Sequence, residues 1–414
     1  MKVIVIGSGV VGVTTAYYFA KAGVEVVVID QNPEPAMGAS FGNAGSMTAS
    51  RAGPWASPRA LAKTLKGYFS SDSAFKLQLS TDPALWAWLA GFTQAAFSNH
   101  TSSKRQAMIE LGMASSAERQ TLEETIGLAY GQIRSGLLTV YDSDKEFKRA
   151  RTDLSTLRSL GLDMEALNVA ECKKLEPAVD WDNLNAVGAI LSKDDATADC
   201  REFTLTLARH LVGMGVQFRH EVVTKVNQMS KGHCEVLTDK GGITADAIVV
   251  AAGIESMRLL KPLGIALPMY PVKGYSITIK ESTSLLPSMS ISDEARKVFM
   301  SPINNQLRAA GIADIAGYDM TISPERIGVI RRTIADFFPN FADAPEELLW
   351  SGLRAMTHDG PPLMFGPRDS GIWVNTGHGS LGWTFACGAA KIVSNMVLQK
   401  RYEPENPYFG LSSR

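Results

Sequence analysis

The thirty residues MKVIVIGSGVVGVTTAYYFAKAGVEVVVID at the N-terminus constrain this chain more than any other stretch. Residues 3–6 are all apolar, as in a central parallel strand covered on both faces. The run ends in Gly7-Ser8-Gly9-Val10-Val11-Gly12, a G-x-G-x-x-G loop. In such a loop the first glycine allows a tight turn, the second lets backbone approach a pyrophosphate, and the third lets the next helix pack close on the sheet. A helix is expected over 13–22, stopped by Gly23, with a second parallel strand over 25–29. Asp30 follows about twenty residues after the glycines, where a carboxylate accepts from ribose hydroxyls. A glycine triplet alone says little. Strand, glycines, helix, strand and acid in this order favour a dinucleotide site over a purely structural βαβ unit. Residues 3–20 are also uncharged behind Lys2, like a signal peptide or anchor. The glycine spacing, the immediate second strand and the lack of a small-residue cleavage site favour a folded cytosolic core.

The chain has 414 residues, 45% hydrophobic and 20% charged, enough for two domains of ordinary size. Its net charge of -1, without long runs of one sign, speaks against a nucleic-acid groove or a polybasic membrane patch. Cys172, Cys200, Cys234 and Cys387 form no C-x-x-C pair, so no metal site and no disulfide framework is expected, only buried reduced thiols.

Further along, residues 38–46 are nearly all small, suited to backbone lying against a cofactor or to a plain surface loop. Residues 51–58 carry two prolines and read as irregular, and 83–126 reads as mainly helical. Within it, 83–97 holds two tryptophans and is too short to span a bilayer. It is either a helix packed on the domain or an interfacial helix touching a membrane or partner; the packed reading is favoured because no basic face opposes the apolar one. Strands are expected at 136–141, 187–191, 216–220 and 222–226, and helices at 145–160, 170–175 and 201–213, the last capped by Asp199. A hairpin at 239–242 leads to an apolar strand over 244–253 that ends in Ala251-Ala252-Gly253. Residues 268–281 alternate as a half-exposed strand, 298–317 form short strands, and 324–338 a helix. After a last apolar strand at 372–375, Gly377 to Gly382 form a second glycine loop feeding a helix to about 398, whose positive end favours negative charge.

These pieces predict an α/β protein with a discontinuous, Rossmann-like dinucleotide domain (1–45, 194–268 and 346–414) and a mixed-sheet cap with helices (46–193 and 269–345). Two remote glycine loops make a longer site than NAD requires, and FAD fits it better.

GSGVVG, Asp30, the loop at 40–45, AIVVAAG, PVKGYS, GLRAMTHDGPP and NTGHGSLGWTFACG together resemble the FAD-dependent D-amino acid dehydrogenases, within the D-amino acid oxidase and glycine oxidase superfamily. The resemblance covers nearly the whole chain. It implies that Gly7, Gly9, Val10, Val11 and Gly12 hold the FAD pyrophosphate, Asp30 and Gln31 the adenosine ribose, and Val223 the adenine. Ser40, Asn43, Ala44 and Gly45 would lie along the pyrophosphate, ribityl chain and flavin, with Ala252 and Gly253 also at the cofactor. Gly377, Gly379, Ser380, Leu381, Gly382 and Trp383 would bring a helix N-terminus to the flavin. Arg354 would clamp the substrate carboxylate. Tyr275 is a second carboxylate donor or a core tyrosine, Lys273 lies near the flavin or in solvent, and His378 touches substrate or flavin or is only packed. One departure is Ala355 and His358, where relatives often carry prolines.

The implied reaction is hydride transfer from Cα of a D-amino acid to flavin, giving an imine that water hydrolyses, with no side-chain base required. Electrons would pass to a quinone or other carrier, or to oxygen, in the cytoplasm and in peripheral contact with the inner face of the plasma membrane. Other readings are oxidation of D-hydroxyproline, D-proline, glycine or sarcosine on the same scaffold, an NAD-dependent dehydrogenase, and a non-catalytic FAD-carrying subunit.

Overall fold

The apolar run behind Met1 forms the strand Lys2–Ile6 in the computed structural model, which describes residues 1–67, 73–230, 233–280 and 286–411. It lies between Glu25–Asp30 and Ala247–Val250, parallel to both. Gln217–His220 and Ile372–Thr376 extend the sheet in parallel on either side, and Leu363–Phe365 closes one edge antiparallel. Strand alternation explains why the run has no polar break. Val3 and Val5 join a core with the helices Val10–Lys21, Cys200–Gly213 and Gly382–Leu398. Ile4 and Ile6 face the other way, onto the antiparallel strands Val223–Ser230, His233–Thr238 and Gly241–Ala245. Residues Gly379–Leu398 are apolar and long enough to cross a membrane, but they are mostly buried, packed on Val10–Lys21 and on the helix Thr101–Ile126.

A second, nine-stranded mixed sheet forms the other half. From one edge it runs Glu346–Thr357, Met269–Ile279, Gln306–Ile315, Val298–Ile303, Ser290–Asp293, Leu137–Tyr141, Gly188–Ser192 and Met164–Leu167, with Phe75–Leu77 beside Gln306–Ile315. Its outer face packs on the helix Pro324–Phe337 through Ile327, Ile330, Ile334 and Phe337. Its inner face turns toward the parallel sheet. Residues 346–357 were expected in the dinucleotide domain. Their backbone instead pairs with Met269–Ile279 across the cap sheet, with Arg354 opposite Val272 and Gly352 opposite Gly274. Of the strand expected over 268–281, Glu281 lies outside the described residues.

The helix Pro58–Gly67 and the strand Phe75–Leu77 had no clear sequence signal. Pro83–Ala96 packs as a helix through Leu85, Trp88 and Phe92, and the Trp88 indole donates to Met356 O at 2.9 Å. Its outward side leaves Trp86 and the following Phe97 exposed. All four cysteines are buried and unpaired.

Candidate active site

A cavity of about 1390 Å³ runs between the two sheets, from Asp30 and Val223 past both glycine loops to Arg354. Its backbone cradle depends on missing side chains. Gly7 has φ +106°, and a Cβ there would lie 2.5 Å from Ala251 O. A Cβ on Gly12 would overlap Gly7 O, so Gly12 sets how closely helix meets strand and does not line the cavity. Gly45, at φ +81°, also sits behind the wall, against Ile303 and Ala198 O. The other expected cofactor residues all line the cavity.

Side chains hold this cradle in shape. Asp30 Oδ2 accepts from the Ser8 N–H at 2.7 Å, and Oδ1 from the Asn32 N–H at 2.8 Å and Asn32 Nδ2 at 2.9 Å, which leaves one lone-pair direction, on Oδ2, for a ribose hydroxyl. Ser40 Oγ accepts from the Val10 N–H at 3.1 Å, satisfying a free donor of the first helical turn. Gln31 O accepts from His220 Nε2 at 2.9 Å, and Val223 O from Arg258 at 3.0 Å. Arg258, held by Glu255, lines the same end and was not anticipated. Nor was Arg308, whose guanidinium reaches from the cap sheet to Asn43 O at 3.3 Å and Thr278 Oγ1 at 3.1 Å. It ties the small-residue loop to the second sheet.

At the other end, Gly377 and Gly379 have positive φ, and Cβ atoms there would press on Thr357 and Met356. Thr376 Oγ1 donates to Gly253 O at 2.9 Å, joining the two glycine regions. His378 is buried; its Nε2 donates to Asn375 Oδ1 at 2.9 Å, and Asn375 Nδ2 donates to Thr15 Oγ1 at 3.1 Å. Burial pushes the His378 imidazole down to about 3, so it is neutral at physiological pH. Trp383 Nε1 and Ser46 Oγ, both at the cavity wall, are buried without a hydrogen-bond partner among the described residues. An elongated glycine cradle, an acid at its ribose end, a helix N-terminus and unused donors at the far end are the features an FAD molecule needs.

Arg354 stands on the inner face of the cap sheet. Its guanidinium lies over Gly274, where any Cβ would overlap Nη2 and Cζ. Nη1 donates to Ile312 O at 3.0 Å and Nη2 to Gly311 O at 3.4 Å. Ile312 has φ +43°, a strained value for a β-branched residue, and this local irregularity aims its carbonyl at Arg354. Burial lowers the Arg354 pKa, with Asp314 opposing. Among the described residues no carboxylate forms an ion pair with Arg354, and its two hydrogen bonds go to backbone carbonyls.

Tyr275 and Lys273, each open to two readings from the sequence, are both held by acidic partners. Tyr275 packs in the outer core, its hydroxyl donates to Asp314 Oδ2 at 2.7 Å, and it also borders the cavity. Lys273 is buried and pairs with Asp319 at 2.8 Å, so it is neither solvated nor at the cavity. The reason is the two-residue repeat of a strand: 272 and 274 face inward with Arg354, whereas 273 and 275 face outward. Sequence reading also missed Trp350. Its indole covers Gly42 and Gly352, and a Cβ on Gly42 would stand 2.5 Å from Cε3, so Trp350 walls the cavity between the small-residue loop and Arg354. At position 358, the departure from proline has a use: the His358 N–H donates to Pro268 O at 3.1 Å, a bond proline lacks.

A dinucleotide cradle opening onto the carboxylate-ready face of a second mixed sheet defines a two-domain flavoenzyme. The chain belongs to the FAD dependent oxidoreductase family, which it matches over residues 2–396. It is 36% identical to the D-amino acid dehydrogenase of Dechloromonas aromatica over 99% of both chains. It is also 36% identical to that of Rhizobium rhizogenes over 96% of both. Among solved structures it resembles glycine oxidase from Geobacillus kaustophilus, with a TM-score of 0.77 and 21% identity over 100% of this chain and 98% of that one. L-proline dehydrogenase from P. horikoshii superposes with a TM-score of 0.73 at 17% identity, over 99% of this chain and 96% of that one. Those two likenesses show the fold alone. Family membership makes the protein an FAD-dependent oxidoreductase and removes the NAD-dependent reading.

Proposed function

We propose that the protein oxidatively deaminates D-amino acids to 2-oxo acids and ammonia. The observation that carries this reading is Arg354, a half-buried guanidinium with no ion-pair partner among the described residues, at the end of the dinucleotide cavity. Full-length relatives named D-amino acid dehydrogenase support the substrate class. FAD, when bound along this cradle, would supply the two-electron acceptor chemistry for oxidation at the substrate Cα. Arg354 holds the substrate carboxylate in a two-point fork, and Trp350 closes the adjacent wall and limits water. The helix N-terminus at Gly382 offers backbone N–H groups to negative charge that develops at the cofactor. His378, neutral and hydrogen-bonded to Asn375, fixes the second glycine loop and takes no proton.

Electrons then pass to a quinone or another carrier in the cytoplasm. The uncharged outward side of Pro83–Ala96, with Trp86 and Phe97 exposed, supports peripheral membrane contact. Co-sedimentation with vesicles tests that contact, and loss of sedimentation in Trp86→Ser is the expected result. The main test is the visible spectrum of the anaerobic protein with D- and L-amino acids, including D-alanine and cis-4-hydroxy-D-proline. Bleaching of the yellow protein by D-amino acids is expected. A yellow protein that no amino acid bleaches overturns the proposal in favour of a carrier subunit.

A further inference from the structure

Across the cavity floor from Arg354 stands a second arginine. Arg354 donates to the carbonyl oxygens of Gly311 and Ile312. Gly311 pairs with Val298 on the adjacent strand, and the next residue, Phe299, carries the Arg51 guanidinium 5.6 Å above its ring. One strand spacing of about 4.8 Å and one residue rise of about 3.4 Å put these supports roughly 6 Å apart on one floor, which both guanidinium groups face. Arg51, Phe299, Gly311 and Arg354 line the same cavity. That gap suits one small molecule with an acidic group at each end, or with a carboxylate at one end and an oxygen at the other.

We infer that Arg51 is the second anchor of the substrate pocket and reads an oxygen on the substrate side chain while Arg354 holds the α-carboxylate. This rests on the amino acid reading above. Glu294 positions Arg51, accepting from Nη1 at 2.8 Å, and Lys297 also bonds Glu294. Arg51 Nε and Nη2 make no hydrogen bond among the described residues. Neither does the hydroxyl of Tyr141, which lines both the cavity and a small recess that it shares with Glu294. A guanidinium only donates, so the group it recognises is an acceptor: a carboxylate, carboxamide or hydroxyl oxygen. The favoured substrates are D-amino acids that carry such an oxygen, over analogues of equal size that lack it.

The test uses the FAD-loaded protein and matched pairs: D-glutamate and D-glutamine against D-norvaline, and cis-4-hydroxy-D-proline against D-proline. Flavin reduction under anaerobic conditions gives the discrimination within each pair. At least one oxygen-bearing member should win by roughly tenfold or more, the size of a charge-assisted hydrogen bond, and which one wins identifies the oxygen. Arg51→Met should collapse that ratio. Tyr141→Phe, which leaves the Arg51–Glu294 pair in place, should reduce it severalfold. Equal rates within every pair in the native protein overturn the assignment. So do variants that slow both members of a pair alike, the mark of a structural role, or that slow only reoxidation by the acceptor. Equilibrium titration with 2-hydroxyglutarate against 2-hydroxypentanoate, followed by the flavin absorbance, separates this from the deamination reading. If no amino acid reduces the flavin, that reading fails, and equal affinities for the two hydroxy acids overturn the role of Arg51 independently.

Discussion

Gly274→Ala separates substrate positioning from folding. A Cβ at 274 overlaps Arg354 Nη2 and Cζ and stands 2.8 Å from Nη1. Ordinary contact needs about 3.5 Å, so the guanidinium must move by roughly 1 Å or more. That shift breaks its bonds to Ile312 O and Gly311 O and takes the fork off the substrate carboxylate. A misplacement of about 1 Å costs on the order of 100-fold in rate, about 2.7 kcal/mol of transition-state stabilisation. The fold should not suffer. Gly274 does not have positive φ, the clash is with the end of a flexible side chain, and alanine in a strand interior is favoured over glycine by about 0.5–1 kcal/mol. Anaerobic stopped-flow reduction by a D-amino acid should show kcat/KM falling roughly 100-fold with Tm unchanged or slightly higher. Activity within threefold of the native protein refutes the clamp geometry, and a Tm loss of several degrees refutes the claim that Gly274 serves Arg354 rather than the sheet.

Gly12→Ala places Cβ against Gly7 O, a backbone atom that cannot give way, so the variant should purify without FAD; a native affinity measured by reconstitution counters this. Trp350→Ala removes the indole over Gly42 and Gly352 and should raise KM roughly tenfold while the flavin spectrum stays the same, as steady-state kinetics and absorbance will show. Asp195 is fully buried beside Ser50, and burial raises its carboxyl to about 7 against the opposing Ser50 hydrogen bonds. The folded protein therefore holds a proton that the unfolded chain loses above about 4, and stability falls as pH rises from there to 7. Asp195→Asn removes this loss, so its Tm relative to the native protein should be higher at pH 8 than at pH 5. His378 has the opposite sign: its pKa is depressed to about 3, so its contribution is present above about 6.5 and lost as pH falls toward 3, by at most about 1.4 kcal/mol per pH unit. Thermal unfolding of His378→Gln at pH 5 and 7 should show a flatter acid limb.

Both glycine loops, the strands that feed them and the acid at Asp30 were legible in the sequence. Their signals are local: an unbroken apolar run, a fixed spacing of residues without Cβ, and a helix beginning where they end. Arg354 was legible only through its motif, and its supports were not legible at all. The sign of a strand face depends on register, so the sequence left Tyr275 open between a carboxylate donor and a core tyrosine, and the fold seats it in the outer core bonded to Asp314. Trp350, Arg308 and Arg51 gave no signal because each acts across hundreds of residues or between two sheets, at Gly42, Asn43 and Phe299. The chain alone therefore determined the separate pieces of the cofactor cradle, each built from backbone close in sequence. Only the tertiary structure decided the substrate chamber, because strand pairing and the packing of one sheet over the other bring its walls together from distant segments.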